Sequence, residues 1–278
     1  MTWQSDTEAA TELPTAGHGT VKLADVNALW YRRTNMPQQG IGISDPDQRN
    51  FVERSNAAAL LGILETSFAG TWISEPAASK RAENKLVQLR AAIRAGLSVP
   101  RTLVSQDPEA IRRFYRERGD GAVVMKALTF DKRQPLLTLQ VEEHHVEEDA
   151  AIRLCPTMFQ ELIPGDRHLR VLCAGEDVHA ITVATEQLDW RPHLDLNAHP
   201  VEIDATTARR MQRVLEILNL RMGVFDLKLA GDVPVFLEIN PQGQFLFMDG
   251  MADIDTASAF ATFLHREATD DLCRREAQ

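Results

Sequence analysis

Gly223-Val-Phe-Asp-Leu-Lys-Leu-Ala230 and Val235-Phe-Leu-Glu-Ile-Asn240 are separated only by Gly231, Asp232, Val233 and Pro234, and the reading of the chain turns on this pair of runs. Both are β-prone and the interval holds turn formers, which predicts two strands joined as a hairpin. Side chains alternate between the faces of a strand, so Phe225, Leu227 and Leu229 point one way and Asp226 and Lys228 the other, while Glu238 and Asn240 fall together. A hairpin centred near Asp232 sets Asp226 opposite Glu238. Like charges directly opposed across a strand pair are destabilising, so the arrangement requires a cation, a shared proton or solvent. Magnesium suits it: the ion is hard, takes oxygen ligands, and is commonly held by one or two carboxylates plus substrate phosphates. Asp226, Glu238 and Asn240 provide such a set, but a solvated acidic hairpin face fits the same spacing, and the spacing alone leaves both open.

Working outward, Met211, Val214, Leu215 and Leu218 recur at helical spacing just before the hairpin. Ala122–Lys126, Thr157–Ile163, Leu169–Cys173 and Val178–Ala184 are short β-prone runs punctuated by Gly, Pro or Asp, which predicts a mostly antiparallel sheet. Asp107-Pro108 reads as a cap followed by proline at the first helical position, opening a helix to about Arg118. Ser79 is a candidate cap for a helix through Ala95 with Leu86, Leu89 and Ile93 on its apolar face and Gly96 as the stop. Val26–Tyr31 reads as a strand, the segment through Asp47 as a loop, and Asn50–Phe68 as a helix. The start through Gly19 is polar and reads as weakly ordered.

At 278 residues the chain allows about two domains or three small ones. Hydrophobic residues at 44% and charged residues at 25% describe an ordinary globular protein, and a net charge of −10 opposes adhesion to nucleic acid or anionic lipid. Cys155, Cys173 and Cys273 lie far apart without a CxxC pair, which fits a reducing compartment; with no apolar run near the roughly 18 residues a membrane span needs, a cytoplasmic location is expected. The pair His144-His145 sits in an acidic run, Glu142 to Asp149, and reads as a solvated turn. No P-loop and no Gly-x-Ser-x-Gly elbow occurs.

The wording Phe236-Leu-Glu-Ile-Asn-Pro-Gln-Gly-Gln244 resembles the metal-binding strand of ATP-grasp ligases, especially the graspetide macrocyclases that mature microviridin-type ribosomal peptides. Val26-Asn-Ala-Leu-Trp-Tyr-Arg-Arg33, Ala82-Glu-Asn-Lys-Leu-Val-Gln-Leu89, Gly96-Leu-Ser-Val-Pro-Arg-Thr102, Phe159-Gln-Glu-Leu-Ile-Pro164, Leu169-Arg-Val171 and Asp189-Trp-Arg191 are similar to further motifs of that group and stand in the same order, so the resemblance runs from about Val26 to Leu264. It implies an α+β fold with a truncated pre-ATP-grasp domain over 1–78, a central α+β subdomain over 79–160 and an antiparallel C-terminal subdomain over 161–278. It implies ATP and Mg2+ as cofactors, with Lys85 and Lys126 on the nucleotide phosphates, Gln160, Glu161, Leu162 and Ile163 against adenine, Arg170 and Arg191 as catalytic cations, and Asp226, Glu238 and Asn240 on the metal. Guanidinium groups suit that task because their fixed donors match phosphate oxygens and offset charge on the transferring phosphoryl group. Bland readings stand beside these: Lys85 as a solvated charge, Arg191 stacked on Trp190. Lys126 ends a run that reads as buried, an unusual place for an idle lysine.

The resemblance implies a precursor peptide with a leader segment as partner, a homodimer, and closure of ω-amide or ω-ester macrocycles through acyl phosphates on Asp or Glu side chains. The chain departs from the pattern in lacking the first strand-helix unit and in a shortened region between Lys126 and Phe159, which bears on peptide recognition more than on the ATP site. Two rivals remain: an intermolecular ligase joining an amino acid or small amine to a carboxylate, and an inactive peptide binder. The full phosphate and metal set has no use in a pure binder.

Overall fold

The computed structural model describes residues 11–15, 17, 19–32, 42–119, 121–128, 138–188, 190 and 196–276. The chain divides into two compact units, Met1–Glu75 with Ala261–Gln278, and Pro76–Phe260.

In the first unit β1 (Glu12–Thr15) and β2 (Gly19–Lys22) form an antiparallel pair, and β3 (Ala28–Trp30) runs parallel to β4 (Thr71–Ile73) with α1 (Pro46–Ser67) between them in sequence. The helix starts earlier than Asn50 because Asp45 caps it, accepting hydrogen bonds from Asp47 N and Gln48 N at 2.8 and 3.2 Å, and Pro46 occupies the first turn, where its missing N–H costs nothing. One core cluster of this unit is Leu23, Ile63 and Leu64, flanked by half-buried Leu29, Tyr31 and Trp72, and Phe68, Ile73 and Phe263 are buried as well.

The second unit opens with α2 (Pro76–Ala82) and α3 (Lys85–Arg94), followed by β5 (Thr102–Ser105), α4 (Pro108–Arg118), β6 (Val123–Lys126), β7 (Leu139–Gln140), α5 (Glu143–Glu147), α6 (Asp149–Ile152) and β8 (Thr157–Glu161). Next come β9 (Arg167–Ala174), β10 (Asp177–Ala184), β11 (Ala198–Val201), α7 (Ala205–Leu218), β12 (Met222–Ala230), β13 (Val233–Asn240) and α8 (Phe247–Ala252), before α9 (Thr256–Glu276). Two antiparallel sheets result, one in the order β5-β8-β6-β7 and the other β11-β10-β9-β12-β13. The fold is therefore α+β, with the expected antiparallel pairing.

One face of the five-stranded sheet carries Leu169, Val171, Cys173, Phe225, Leu227, Phe236 and Ile239 into a core shared with Leu89 of α3 and Met211, Val214, Leu215 and Leu218 of α7. Burying a side chain of this size contributes roughly 1.5–3 kcal/mol, so this face anchors the sheet, while the opposite face mixes buried Leu172 and Val224 with the polar Arg170, Asp226 and Lys228. The smaller sheet has its own core of Ile111, Val123, Val141, Val146 and Phe159.

The expected single helix from Ser79 to Ala95 is two helices. Ser79 lies buried inside α2, and the cap is Asn84, whose side chain accepts from Leu86 N and Val87 N at 2.9 and 3.3 Å and starts α3 at Lys85. The new start also changes the face: Leu86 and Ile93 are exposed, and Gln88, Leu89, Ala91 and Ala92 are buried. Gly96, with φ at +84°, follows the last turn as expected of a helix stop.

Candidate active site

The hairpin brings Asp226 directly opposite Glu238 through two departures from a plain ladder that offset each other. The turn is the two residues Gly231 and Asp232, with Ala230 paired to Val233 and Gly231 at φ +62°, a conformation that favours glycine. Pairing then runs Lys228 with Val235 and Leu227 with Phe236, and shifts so that Asp226 meets Glu238. Leu237 is the extra residue of a β-bulge, which explains why Phe236 and Ile239 both enter the core while Glu238 and Asn240 remain on the other face. Arg167 holds the turn from outside, donating to the Gly231 carbonyl and to Asp232 Oδ1.

Each carboxylate is met by a cation of the chain. On β9, Arg170 stands in register with Asp226, and its Nη1 lies 2.7 Å from both carboxylate oxygens. The same guanidinium donates through Nη2 to the Gln244 carbonyl at 2.8 Å and lies over the Phe247 ring at 5.7 Å. Gly243 lets the chain after β13 pack closely on the sheet, since a Cβ there would sit 2.7 Å from Val224 and 2.9 Å from Asn240. Asn240 Nδ2 donates to Asp226 Oδ2 at 3.2 Å. Glu238 is bound from α3, with Lys85 Nζ 2.6 Å from Oε2. Five of the expected residues thus fall into two groups, Arg170–Asp226–Asn240 and Lys85–Glu238, set side by side where Asp226 pairs with Glu238.

Four residues in a row, Gln160, Glu161, Leu162 and Ile163, line a pocket together with Lys126 at the end of β6. Val124 and Leu237 add apolar walls, and Gln160 Nε2 is fixed to Thr102 Oγ1 at 3.0 Å. Because the bulge turns Leu237 to the polar face, the pocket wall and the Asp226–Glu238 pair share strands β12 and β13. An apolar slot with a few placed polar groups is the form a flat heterocycle with a charged tail requires.

Lys228 also lines this pocket, and sequence reasoning assigned it no role. It is 7% exposed and forms no ion pair with the described residues; burial lowers the pKa of its ammonium group, with Asp166 acting in the opposite direction. Its signal was present in the sequence: it sits two residues from Asp226 and so on the same strand face.

Arg191 lies outside the described residues, as does Asp189. Trp190 beside them is buried, its ring 6.1 Å from Phe247. The pair His144 and His145 belongs to α5 and not to a turn, with His145 Nδ1 accepting from Glu142 N at 3.0 Å as part of a capping box. Among the described residues no group of three or more His, Cys, Asp and Glu converges on a point, and no described helix is long and apolar enough to cross a membrane. The acidic centre is thus two carboxylates and an amide, an all-oxygen donor set that fits a magnesium ion completed by phosphate and water.

No family model matches the chain. A probable alpha-L-glutamate ligase of Sodalis glossinidius (strain morsitans) is 25% identical over 211 residues, covering 73% of this chain and 71% of that protein. The crystal structure of macrocyclase MdnC from Microcystis aeruginosa MRC, bound with precursor peptide MdnA, is 27% identical with a TM-score of 0.78, over 91% of this chain and 82% of that one. ATP-grasp ligase PsnB, complexed with a phosphomimetic variant of minimal precursor, Mg and ADP, is 24% identical with a TM-score of 0.72, over 87% of this chain and 79% of that one. With the opposed carboxylates and the pocket beside Lys126, these likenesses give the chain the ATP-grasp fold and a similarity to ATP-grasp ligases. Within that fold its similarity is to peptide macrocyclases, MdnC among them.

Proposed function

We propose that the chain closes macrocycles in a ribosomal precursor peptide, activating Asp or Glu side chains with ATP and joining them to Lys, Ser or Thr side chains as ω-amides or ω-esters. The observation that carries this reading is the pairing of Asp226 and Glu238 beside the Lys126 pocket, on a chain similar over 91% of its length to a macrocyclase bound with its precursor.

A carboxylate oxygen of the peptide attacks the γ-phosphorus of ATP, the bond to the ADP oxygen breaks, and an acyl phosphate forms. The amine or hydroxyl then attacks the acyl carbon, phosphate leaves with the C–O bond electrons, and the nucleophile's proton passes to solvent. Asp226, Glu238 and Asn240 would hold Mg2+, which when bound neutralises charge on the β- and γ-phosphates. Lys126 and Gln160–Ile163 would orient the nucleotide, Lys85, paired with Glu238, would meet its phosphates, and Arg170 stiffens Asp226. Arg191 completes the phosphate-facing cations in this reading. Positioning and charge neutralisation supply most of the catalysis in phosphoryl transfer, which this set of groups provides.

The division into 1–78, 79–160 and 161–278 belongs to the same proposal; β8 crosses the boundary at 160 and ties the second part to the third. The partner is a precursor peptide with a leader. A second reading, ligation of a free amino acid to a carboxylate, is favoured by the likeness to a probable glutamate ligase. Magnesium-dependent ADP release, measured with and without a leader-bearing precursor peptide, separates them. Peptide-stimulated release, with loss of one water mass per bond and abolished by Glu238→Gln, is the expected result. Release stimulated only by free amino acids supports the second reading, and absence of nucleotide binding or turnover under every condition overturns both.

A further inference from the structure

Among the described residues β13 is the edge of its sheet, so its outer backbone groups are not paired with a further strand of that sheet. Two outside contacts close that edge. Phe236 N donates to the Ser98 carbonyl at 2.8 Å, and beyond the bulge Ile239 donates through its N–H to Gln88 Oε1 at 3.1 Å while its carbonyl accepts from Gln88 Nε2 at 2.8 Å. The second hydrogen of Nε2 goes to the Ala82 carbonyl at 2.7 Å, at the end of α2. Gln88 is 5% exposed, and its amide has one workable orientation, because turning it over would set its NH2 against the Ile239 N–H and its oxygen against two carbonyls.

A side-chain amide here takes the part of a missing strand. Ile239 lies between Glu238 and Asn240, so fixing both its backbone groups also fixes the directions in which its neighbours' side chains leave the chain. Lys85 lies one helical turn before Gln88 on α3, so the clamp joins the helix that carries the lysine to the strand that carries its 2.6 Å partner.

We propose that Gln88 is a positioning residue for the metal-binding strand, its amide completing the open edge of β13 at Ile239 so that Glu238 and Asn240 are held in register with Lys85. This rests on the reading of Glu238 and Asn240 as metal ligands. The adenine-facing pocket is lined from other residues, so Gln88 acts on the metal requirement and not on nucleotide recognition.

The test is equilibrium binding of ADP to the full chain, without metal and across a Mg2+ titration, for the wild type, Gln88→Met and Gln88→Glu, with thermal melting of each. Methionine keeps the volume and removes all three hydrogen bonds, while glutamate keeps the shape and an acceptor for Ile239 N. The expected result is metal-free ADP affinity within about twofold of wild type and a Mg2+ half-saturation raised at least tenfold in both variants. Unchanged Mg2+ half-saturation in a folded variant overturns the proposal, as does loss of cooperative melting and of all ADP binding in both, which would give Gln88 a role in stability alone. A wild type whose ADP binding ignores Mg2+ fails the metal reading itself, and the proposal with it.

Discussion

Asp226 and Glu238 face each other across one ladder, yet the protein holds them in different ways. Asp226 lies on an interior strand; its cation comes from the adjacent strand, touches both carboxylate oxygens at 2.7 Å and is itself tied to the Gln244 carbonyl. Glu238 lies on the edge strand and is met through one oxygen by Lys85, with side chains 25% and 17% exposed in that pair. In the dry interior, removing one partner leaves the other charge buried, whereas a partly exposed lysine exchanges partners with solvent at lower cost. The first pair behaves as framework, the second as a contact that an incoming ligand can rearrange.

The sharpest way to break this contrast is Arg170→Met, which should destabilise the protein by about 3–5 kcal/mol in denaturant unfolding because the buried Asp226 carboxylate loses its guanidinium partner. A loss below about 1 kcal/mol would put both pairs in the same category. Next, Glu238→Gln should lower magnesium-dependent ADP release by about 100- to 1000-fold, a range seen when one charge-stabilising group is removed from a preorganised site, while leaving the melting temperature nearly unchanged. Lys228→Met should weaken ADP binding about tenfold, equivalent to about 1.4 kcal/mol, without lowering thermal stability, since a buried ammonium with a lowered pKa is replaced by an apolar side chain. Lys85→Met should shift unfolding by no more than about 1 kcal/mol. As the smallest effect, native-state alkylation should label Cys155 and Cys273 and spare Cys173, which is buried on β9 with its thiol pushed up to about 12 by desolvation, helped by Asp177.

Alternation and spacing made the opposed carboxylates legible, because the period of a strand leaves few registers that bury Phe225 and Leu227. The bulge at Leu237 was not legible: an extra residue has no compositional mark, and it was masked by a turn one residue tighter than the symmetric estimate. On α3 the apolar letters Leu86, Leu89 and Ile93 suggested a face that the structure turns outward in part. The buried face consists of alanines, Leu89 and Gln88, and a glutamine facing inward is invisible to hydropathy until the edge strand it satisfies is known. Lys228 was on the right face but had no partner in the motif to name it. The charge-bearing positions were readable wherever the backbone period was regular, and hidden wherever a tertiary contact decided the phase.

The turn at Gly231–Asp232 and the bulge at Leu237 together make the length of this hairpin a functional quantity. A single-residue insertion or deletion between Asp226 and Glu238 must either erase the bulge or rotate Glu238 toward the face occupied by Phe236 and Ile239. Length variation among natural sequences of this kind should therefore occur there in steps of two, or as a one-residue change accompanied by loss of the bulge, while substitutions at the turn that respect its backbone geometry accumulate freely.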